Sequence, residues 1–359
     1  MPRGRPKGSK NKKQIPLSKE SKKLVEKGLQ EAKEGKLEPL DKKLLEERKE
    51  DNKKEENINP NLKRTVNNLT KQFGHEVIHF ASEEPEKGKI PFGIKQIDDL
   101  IGGGITEGMF TVLWGNKSSV KSTLAYLVIA QAQKKGIQSL YIDLEQSFNK
   151  VWSTKMGVNL DTLLIANKSK NAEETFDMII KLCNEKSVGL IVLDSIQSLS
   201  PQGEKETKTG KERSVADDTM ALLARKLSQF FRMTASGVAS GKVAVLLIGQ
   251  ARTDLGSFIK LDALSSGHAL QHWSAITLKT YRGAKADSPR YRFKINDKSK
   301  EIIIGFPLNI KIEKTKLSGT APESSVVTLP FYYEYAFEKP TEEQIKKTFK
   351  DWIEFESEE

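Results

Sequence analysis

The sequence predicts an α/β fold, in which a mostly parallel sheet is flanked by helices and closed by an antiparallel meander. Beyond about residue 62, short apolar runs alternate with segments of helical period. The first four runs are apolar almost throughout, as in strands buried on both faces of a parallel sheet, whereas the last two alternate apolar and polar residues and predict the meander. The runs occupy residues 109–115, 139–145, 188–195, 243–250, 275–281 and 308–314, and the helical segments 122–135, 172–185 and 215–236.

The composition of the 359-residue chain excludes several classes of protein. The chain contains no run of 18 apolar residues, so a membrane span is not expected. Its basic amino terminus lacks the apolar stretch of a secretory signal. A single cysteine, Cys183, excludes a disulfide framework and a cysteine-based zinc site. We therefore expect a protein of a reducing compartment, the cytoplasm or the nucleus.

Positive charge is concentrated near the amino terminus. The formal net charge is +11, and residues 1–70 hold 20 Lys and Arg against 12 Asp and Glu. Residues 1–16 are predicted to form a basic arm that is disordered by itself, and residues 17–61 a charged, partly helical linker. Such an arm favours a polyanionic partner, most often nucleic acid, although a solubilising tail would have the same composition.

A candidate phosphate-binding loop follows the first apolar run. Residues 115–123 read GNKSSVKST, close to G-x-x-x-x-G-K-[ST], a loop whose backbone N–H groups surround phosphates and whose lysine meets the β- and γ-oxygens. Val120 replaces the second glycine, so the loop must either keep this β-branched residue at negative φ or bear strain. The predicted nucleotide contacts in the loop are Gly115, Asn116, Lys117, Ser118, Ser119, Val120, Lys121, Ser122 and Thr123.

Two carboxylates follow later strands at workable spacing. Asp194 closes the run GLIVLD and could hold Mg²⁺ together with Ser122, while Glu145 follows SLYIDL and could polarise an attacking water. Taken singly, Asp194 could instead cap the next helix and Glu145 could be a surface acid. The two carboxylates follow consecutive predicted strands after the phosphate-binding loop. Together with that loop they predict a site for ATP and Mg²⁺.

These motifs resemble the RecA family of recombinases, in its bacterial RecA and phage branch, over roughly residues 62–337. LTKQFGHEVI (69–78) is similar to the segment that docks onto a neighbouring subunit in that family. The resemblance implies an oligomerisation segment at 62–80, an ATPase core at 81–337 and a short acidic helix or tail at 338–359. It also implies a nucleoid-associated protein in the cytoplasm of a bacterial or phage-infected cell.

The same resemblance assigns roles around the nucleotide. YIDLEQSFNKVWSTKMGVN (141–159) resembles the segment with the catalytic glutamate, here Glu145, and an aromatic residue over adenine, here Trp152. Asn149 stands where the family has a base-contacting aspartate, and Trp152 could equally belong to the core. Gln250 corresponds to a sensor of the γ-phosphate. The final motif, KIEKTKLSG (311–319), resembles the one whose two lysines, here Lys314 and Lys316, reach the nucleotide of the adjacent subunit.

Two DNA-binding loops are implied as well, at about 201–214 and 252–266. Basic and aromatic side chains on mobile loops suit phosphate contact and base stacking on single strands. Phe258 could instead anchor its loop by packing inward. The DNA contacts predicted in these loops are Arg213, Arg252, Phe258 and Lys260.

The basic arm resembles an AT-hook. Its Arg-Gly-Arg-Pro core would lie in the minor groove of A·T-rich duplex DNA, with Arg3 and Arg5 along the groove and Lys7 beside it. Gly4 would let the backbone approach the groove floor. The arm thereby predicts a double-stranded DNA partner, against the alternative of a nonspecific basic tail.

Taken together, the sequence predicts a DNA-dependent ATPase that forms a filament on single-stranded DNA and promotes homologous pairing and strand exchange. Its partners would be single- and double-stranded DNA and further copies of itself. Two alternatives stay open. Val120 could mark an ATP-binding DNA scaffold or mediator without turnover. A ring helicase or regulatory ATPase of the same fold is the other, although Lys314, Lys316 and the QFG segment disfavour it.

Overall fold

The computed structural model describes residues 59–74, 78–202, 220–253, 262–264, 268–295 and 298–353. The chain divides into two compact units, residues 1–84 and 85–359. In the first unit, helix α1 (Pro60–Phe73) begins where Pro60 occupies the first turn and the Asn59 side chain accepts the Asn61 N–H. Every residue of α1 is at least partly exposed, including Leu62 and Phe73.

The second unit contains the remaining elements. Its helices are α2 Lys95–Leu100, α3 Lys121–Lys134, α4 Lys150–Lys155, α5 Ala172–Asn184, α6 Met220–Gly241, α7 His268–Trp273 and α8 Glu342–Thr348. Its strands are β1 Lys89–Ile90, β2 Ile105–Thr106, β3 Phe110–Gly115, β4 Ser139–Asp143, β5 Leu163–Ala166, β6 Leu190–Asp194, β7 Ala244–Thr253, β8 Asp262–Leu264, β9 Ser274–Arg282, β10 Arg290–Ile295, β11 Lys298–Ile303, β12 Gly305–Thr315 and β13 Val326–Tyr332.

The main sheet has the strand order β13–β12–β9–β3–β7–β6–β4–β5, and β8 pairs with the end of β7. The strands from β9 to β5 are parallel, whereas β12 and β13 are antiparallel to their neighbours. The carboxyl ends of β3, β4, β6 and β7 therefore lie at one edge of the sheet. Residues that follow these strands are brought together there, where open α/β sheets usually bind ligands.

Helices cover both faces of the sheet. On one face α2 and α3 pack against the strands, with Leu124 and Ile129 fully buried. On the other, α5 and α6 meet through Phe176 and Phe230, whose rings stack at 4.4 Å. Burial on both faces explains why β3, β4 and β6 are apolar along nearly their whole length.

The predicted fold class is confirmed, and all six apolar runs form strands. The run at 275–281 was expected to be half-buried, but it forms β9, which is buried along most of its length between β3 and β12. Its threonines tolerate burial because they are hydrogen-bonded: Thr277 to Ser274 and Thr280 to Ser119. The run at 139–145 ends as a strand at Asp143, so Glu145 lies in the following turn.

Near the carboxyl terminus, α8 lies in the segment expected to form a short acidic helix or tail, and it begins with a capping box. The Thr341 hydroxyl accepts the Gln344 N–H, and the Gln344 side chain accepts the Thr341 N–H. The hairpin β10–β11 and α8 enclose a small separate cluster that includes Ile302, Ile345 and Phe349. Within the described part of the chain, none of the helices has the length and apolar character that a membrane crossing requires.

Candidate nucleotide site at the carboxyl edge of the sheet

The loop between β3 and α3 lies at this edge, as its sequence predicts. Gly115 ends β3, and a Cβ at this position would lie 2.0 Å from the Thr280 carbonyl oxygen of β9. Only glycine therefore allows this close approach of the two strands. The Ser119 hydroxyl closes the loop by hydrogen bonds with the Asn116 carbonyl (2.7 Å) and the Thr280 hydroxyl (2.9 Å).

Val120 adopts the left-handed conformation, with φ 67° and ψ 12°, immediately before α3 begins. The sequence left two possibilities for this residue, and the structure has the strained one. A β-branched residue in this region costs on the order of 1–3 kcal/mol. The loop thus keeps the backbone turn that glycine would give, although the residue type disfavours it.

Lys121 is buried at the start of α3, with its ammonium group held inside the loop. Its Nζ donates to the carbonyl oxygens of Asn116 (2.8 Å) and Gly115 (3.2 Å). Burial lowers the pKa of Lys121 from its ordinary value, while the nearby Asp194 and Glu145 carboxylates act in the opposite direction. A cation in this position is suited to an anionic ligand enclosed by the loop.

Asp194 faces the loop at the end of β6. Its Oδ2 accepts hydrogen bonds from the Ser122 hydroxyl and from the Tyr141 hydroxyl, both at 2.7 Å. Burial raises the pKa of Asp194, although these two hydrogen bonds favour its charged form. The side chain does not cap the helical turn that follows, since that turn has no side-chain cap.

Glu145, in the turn after β4, and Gln250, near the carboxyl end of β7, meet across the pocket. The Gln250 Nε2 donates to Glu145 Oε1 at 2.6 Å, and the Ser195 hydroxyl donates to the same oxygen at 2.5 Å. Gln197 fixes the backbone of Gln250, because its Oε1 accepts the Gln250 N–H at 2.8 Å. Glu145 is exposed to the pocket, so it is available to a water or ligand as well as to these two donors.

These groups line one open pocket of about 550 Å³. Its floor is the phosphate-binding loop and the start of α3, residues 117–123, and its far wall consists of Glu145, Asp194 and Gln250. The structure thereby brings together the loop, both carboxylates and the glutamine that the sequence singles out separately. Backbone donors, one ammonium group and two carboxylates are the groups that a triphosphate with a divalent cation requires.

The residues present fit Mg²⁺. Ser122 and Asp194 supply two neighbouring oxygen ligands, and Mg²⁺ typically takes one or two protein carboxylates and completes its shell with substrate phosphates and water. Among the described residues, no cluster of three or more His, Cys, Asp or Glu side chains could form an all-protein metal site. Ser122 and Asp194 are therefore the groups that would hold the ion.

A second pocket of about 440 Å³ adjoins the first and shares Ser118, Val120 and Thr123 with it. Trp152 and Asn149 both line it, as a nucleoside-binding role requires. The indole N–H of Trp152 donates to the Thr123 hydroxyl at 2.9 Å, and the ring is only half-buried. Asn149 caps α4, because its Oδ1 accepts the Trp152 N–H, so this oxygen is already engaged.

Three further residues of this pocket were not singled out from the sequence. Arg282 donates from Nε to the Ser118 carbonyl at 3.1 Å and lies over the Phe306 ring at 4.0 Å. Lys155 approaches the Trp152 ring to 5.5 Å, and Tyr333 forms part of the opposite wall. Arg282 and Tyr333 come from β9 and the segment after β13, and no local motif links them to the loop.

Lys314 and Lys316 lie together at the end of β12. Their ammonium groups donate to carbonyl oxygens at the carboxyl end of α7: Lys314 to Gln271 and Ser274, and Lys316 to His272 at 2.6 Å. Burial, followed by the charge of Lys316, lowers the pKa of Lys314 to about 8. Neither lysine lines the two pockets described above.

The predicted DNA contacts lie outside the described residues. This applies to Arg3, Arg5 and Lys7 of the arm, to Arg213 in the first loop, and to Phe258 and Lys260 in the second. Arg252 lies on β7, two residues beyond Gln250, but its side chain is likewise outside the description. The second predicted loop begins two residues after Gln250, which lines the first pocket. The first begins four residues after Gln197, which contacts Gln250.

Comparisons with known proteins agree with this geometry. The mitochondrial DNA repair protein recA homolog of Dictyostelium discoideum is 32% identical over 224 residues, which is 60% of this chain and 48% of that protein. The RecA proteins of Mesoplasma florum and Thermus aquaticus are each 28% identical, over 79% and 78% of this chain and 88% and 77% of their own lengths.

The chain thus spans about half the length of the Dictyostelium relative and most of the two bacterial ones. The family described as the RecA N-terminal domain matches residues 60–332, which is most of the chain and includes every residue of both pockets except Tyr333 and Glu334. The protein therefore belongs to the RecA family of recombinases and DNA repair proteins.

Proposed function

We propose that the protein is a DNA-dependent ATPase that assembles as a filament on single-stranded DNA and promotes homologous pairing and strand exchange. The observation that carries this proposal is the Glu145–Gln250 hydrogen bond beside Lys121, Ser122 and Asp194. An ATP-binding protein without turnover has no chemical need for a water-activating carboxylate, and none for a contact between it and a DNA loop.

In this proposal each pocket residue has a distinct task. The loop N–H groups and Lys121 bind the β- and γ-phosphates, and Ser122 and Asp194 hold Mg²⁺, which neutralises charge on the transferred phosphoryl group when bound. Glu145 accepts a hydrogen bond from the attacking water and so orients it toward the γ-phosphate. The half-buried ring of Trp152 offers a stacking surface for adenine, with Asn149 at the pocket rim.

Gln250 is the proposed connection between ATP and DNA. It is the last residue but three of β7, and the second predicted DNA loop begins two residues later. A γ-phosphate that draws the Gln250 amide away from Glu145 would free the carboxylate for water and move the loop at the same time. Loss of the phosphate reverses both, which is the order–disorder type of switch seen in other nucleotide hydrolases.

Lys314 and Lys316 are proposed to complete the nucleotide site of a neighbouring subunit. Two ammonium groups side by side suit the charge that develops on the γ-phosphate during transfer. Helix α1, exposed along its whole length with Leu62 and Phe73 at about half exposure, is the proposed docking element for that neighbour. ATP would then lie between the subunits of the assembly.

The basic arm, which lies outside the described residues, is proposed to hold duplex DNA near the filament as a tethered second binding site. Its Arg-Gly-Arg-Pro sequence and the six cations among residues 1–13 support an AT-hook. Competition between A·T-rich and G·C-rich duplexes tests this, with the full chain beside a variant in which Arg3 and Arg5 are alanine. A preference for A·T-rich DNA that the variant loses supports the hook; equal affinity for both duplexes contradicts it.

Strand exchange between a circular single strand and a homologous linear duplex tests the function as a whole. We expect ATP-dependent formation of joint molecules, with continuous filaments in electron micrographs of the same mixture. Rings without joint molecules would favour the helicase or regulatory class. Filaments that bind ATP and DNA but neither hydrolyse nor exchange strands would favour a scaffold, the reading that the strained Val120 supports.

A further inference from the structure

Strand β12 contains a bulge immediately before the lysine pair. Ile312 pairs with Leu278 of β9, and Lys314 already pairs with the next residue, Thr277, so Glu313 is an extra residue without a partner of its own. In a regular strand, successive side chains face opposite sides, and Lys314 would share the face of Ile312. Because Ile312 is fully buried in the core, an unbulged strand would direct Lys314 into apolar surroundings.

The extra residue places Lys314 on the other face, beside Glu313, and Lys316 follows it at i+2. Bulges are known for this effect of redirecting a side chain next to functional sites. The position of both ammonium groups against the end of α7 therefore depends on where the bulge lies. A shift of the bulge by one residue would return Lys314 to the core face.

A hydrogen bond from β3 anchors the bulged residue. The indole Nε1 of Trp114 donates to Glu313 Oε2 at 2.6 Å, a short charge-assisted bond between a buried ring and a half-buried carboxylate. The ammonium group of Lys279, on the intervening strand β9, lies 4.6 Å from the centre of the Trp114 ring. Contacts with β9 and β12 thus hold the Trp114 ring in place and fix the direction of its indole N–H.

Both members of this bond adjoin functional residues. Trp114 directly precedes Gly115, the first residue of the phosphate-binding loop, and Glu313 directly precedes Lys314. The Trp114 carbonyl also accepts the Thr280 hydroxyl at 3.3 Å, and Thr280 contacts Ser119 inside the loop. A series of hydrogen bonds therefore links the phosphate-binding loop with Glu313, the residue that precedes the lysine pair.

We propose that the Trp114–Glu313 hydrogen bond positions Lys314 and Lys316 for the neighbouring subunit's nucleotide, and that it couples this position to the subunit's own phosphate-binding loop. The inference rests on the in-trans role of the two lysines given under the proposed function. Trp114 and Glu313 are positioning residues: neither touches the nucleotide that the lysines address. A bond that merely stabilised β12 would have no effect on a neighbouring subunit.

Mixed assemblies on single-stranded DNA separate these two roles. Wild-type subunits are diluted into an excess of Lys121→Ala subunits, which are called donors here. A donor hydrolyses no ATP itself, but it presents an intact Lys314 and Lys316 to its wild-type neighbour. Turnover per wild-type subunit is then compared with donors that carry Lys121→Ala together with Glu313→Ala, Glu313→Gln or Trp114→Phe. Co-sedimentation with DNA and the urea midpoint of each donor establish that it folds and enters the assembly.

We expect Glu313→Ala and Trp114→Phe donors to lower turnover per wild-type subunit about tenfold, since small errors in the position of a catalytic group have effects of this order or larger. Donors with Glu313→Gln should support most of the turnover, because the glutamine oxygen still accepts the indole N–H. Full turnover with Glu313→Ala donors would overturn the inference, as would equal loss with the Gln and Ala donors.

A donor with Lys121→Ala, Lys314→Ala and Lys316→Ala tests the assignment on which the inference rests. Loss of turnover with this donor, together with full turnover for Glu313→Ala, would leave the in-trans lysines in place and refute only the positioning role. Full turnover with the lysine-deleted donor would refute the in-trans role itself, and the coupling with it.

Discussion

The Gln250 amide donates to the Glu145 carboxylate at 2.6 Å, although the two residues are 105 positions apart in the chain. This bond engages one oxygen of the carboxylate that, we propose, orients the attacking water. Ser195 donates to the same oxygen, so the carboxylate is held in one orientation by two fixed groups. The bond thus connects the carboxylate proposed for hydrolysis with the strand that leads into the proposed DNA loop. It can be broken by substitution of Gln250 alone, which leaves Glu145 and the loop in place.

Replacing Gln250 with leucine should separate ATP binding from hydrolysis. The variant keeps the loop, Lys121 and Asp194, so its affinity for ATP should stay close to that of the wild type. DNA-stimulated hydrolysis should fall about 10²-fold, because leucine has no amide with which to bind the γ-phosphate and so cannot couple the nucleotide to the DNA loop. Nucleotide binding and steady-state turnover measure the two effects. Unchanged stimulation by DNA would exclude the sensor role.

Val120→Gly and Val120→Ala test the strain in the loop. Both variants lose the same contacts of the valine side chain with the core, but only glycine adopts φ 67° without steric cost. The glycine variant should therefore be more stable than the alanine variant by about 1 kcal/mol in urea unfolding. An alanine variant of equal or higher stability would mean that the backbone at this position is not strained.

Asp194→Asn should lower the rate of ATP hydrolysis and raise the stability of the fold. Because burial raises the pKa of Asp194, the folded protein binds its proton more tightly than the unfolded chain does. The stability that this group contributes is thus present at low pH and lost as the pH rises through the folded pKa. Relative to wild type, the asparagine variant should gain stability as the pH rises above about 4, the pKa of the carboxyl in the unfolded chain, while hydrolysis falls about 10²-fold or more.

Urea unfolding at several pH values, without nucleotide or metal, measures this gain. Ser122→Ala is the matched control, since it removes a hydrogen-bond partner of Asp194 but leaves the titrating carboxyl in place. Its stability relative to wild type should show much weaker pH dependence. A pH-independent difference between Asp194→Asn and wild type would contradict the buried-carboxylate account.

Deprotonation of Lys314 should lower the rate of ATP hydrolysis at alkaline pH. Its pKa is lowered to about 8, so the ammonium group loses its charge above that pH in the free enzyme. We expect kcat/KM for ATP to decline above about pH 8, because this ratio reports groups of the free enzyme. Lys314→Arg, which stays charged, should lack the decline, and Lys316→Arg should retain it. A decline that persists in Lys314→Arg belongs to another group.

Local motifs explain why much of the site could be predicted. The strand, loop and helix around residues 109–135 follow one another directly in sequence, and Asp194 closes a strand whose apolar run is unmistakable. Strand β5 (Leu163–Ala166) was missed because it is a four-residue edge strand with two exposed residues. The β10–β11 hairpin was missed because charged residues interrupt its alternation.

Contacts between distant segments could not be predicted. Gln197, which fixes the Gln250 backbone, is one polar residue in a turn and belongs to no pattern. The bulge at Glu313 depends on the pairing of β12 with β9 and on Trp114 from a third strand. Arg282 reaches the Ser118 carbonyl of the phosphate-binding loop only because β9 lies beside β3, a consequence of strand order rather than of local sequence.

Steady-state ATP hydrolysis by the full chain, with and without single-stranded DNA, tests the central claim most directly. We predict strong stimulation by DNA in the presence of Mg²⁺, and its complete loss in Lys121→Ala, whose ammonium group lies inside the loop. Absence of turnover in a wild-type protein that binds both ATP and DNA tightly would contradict the claim.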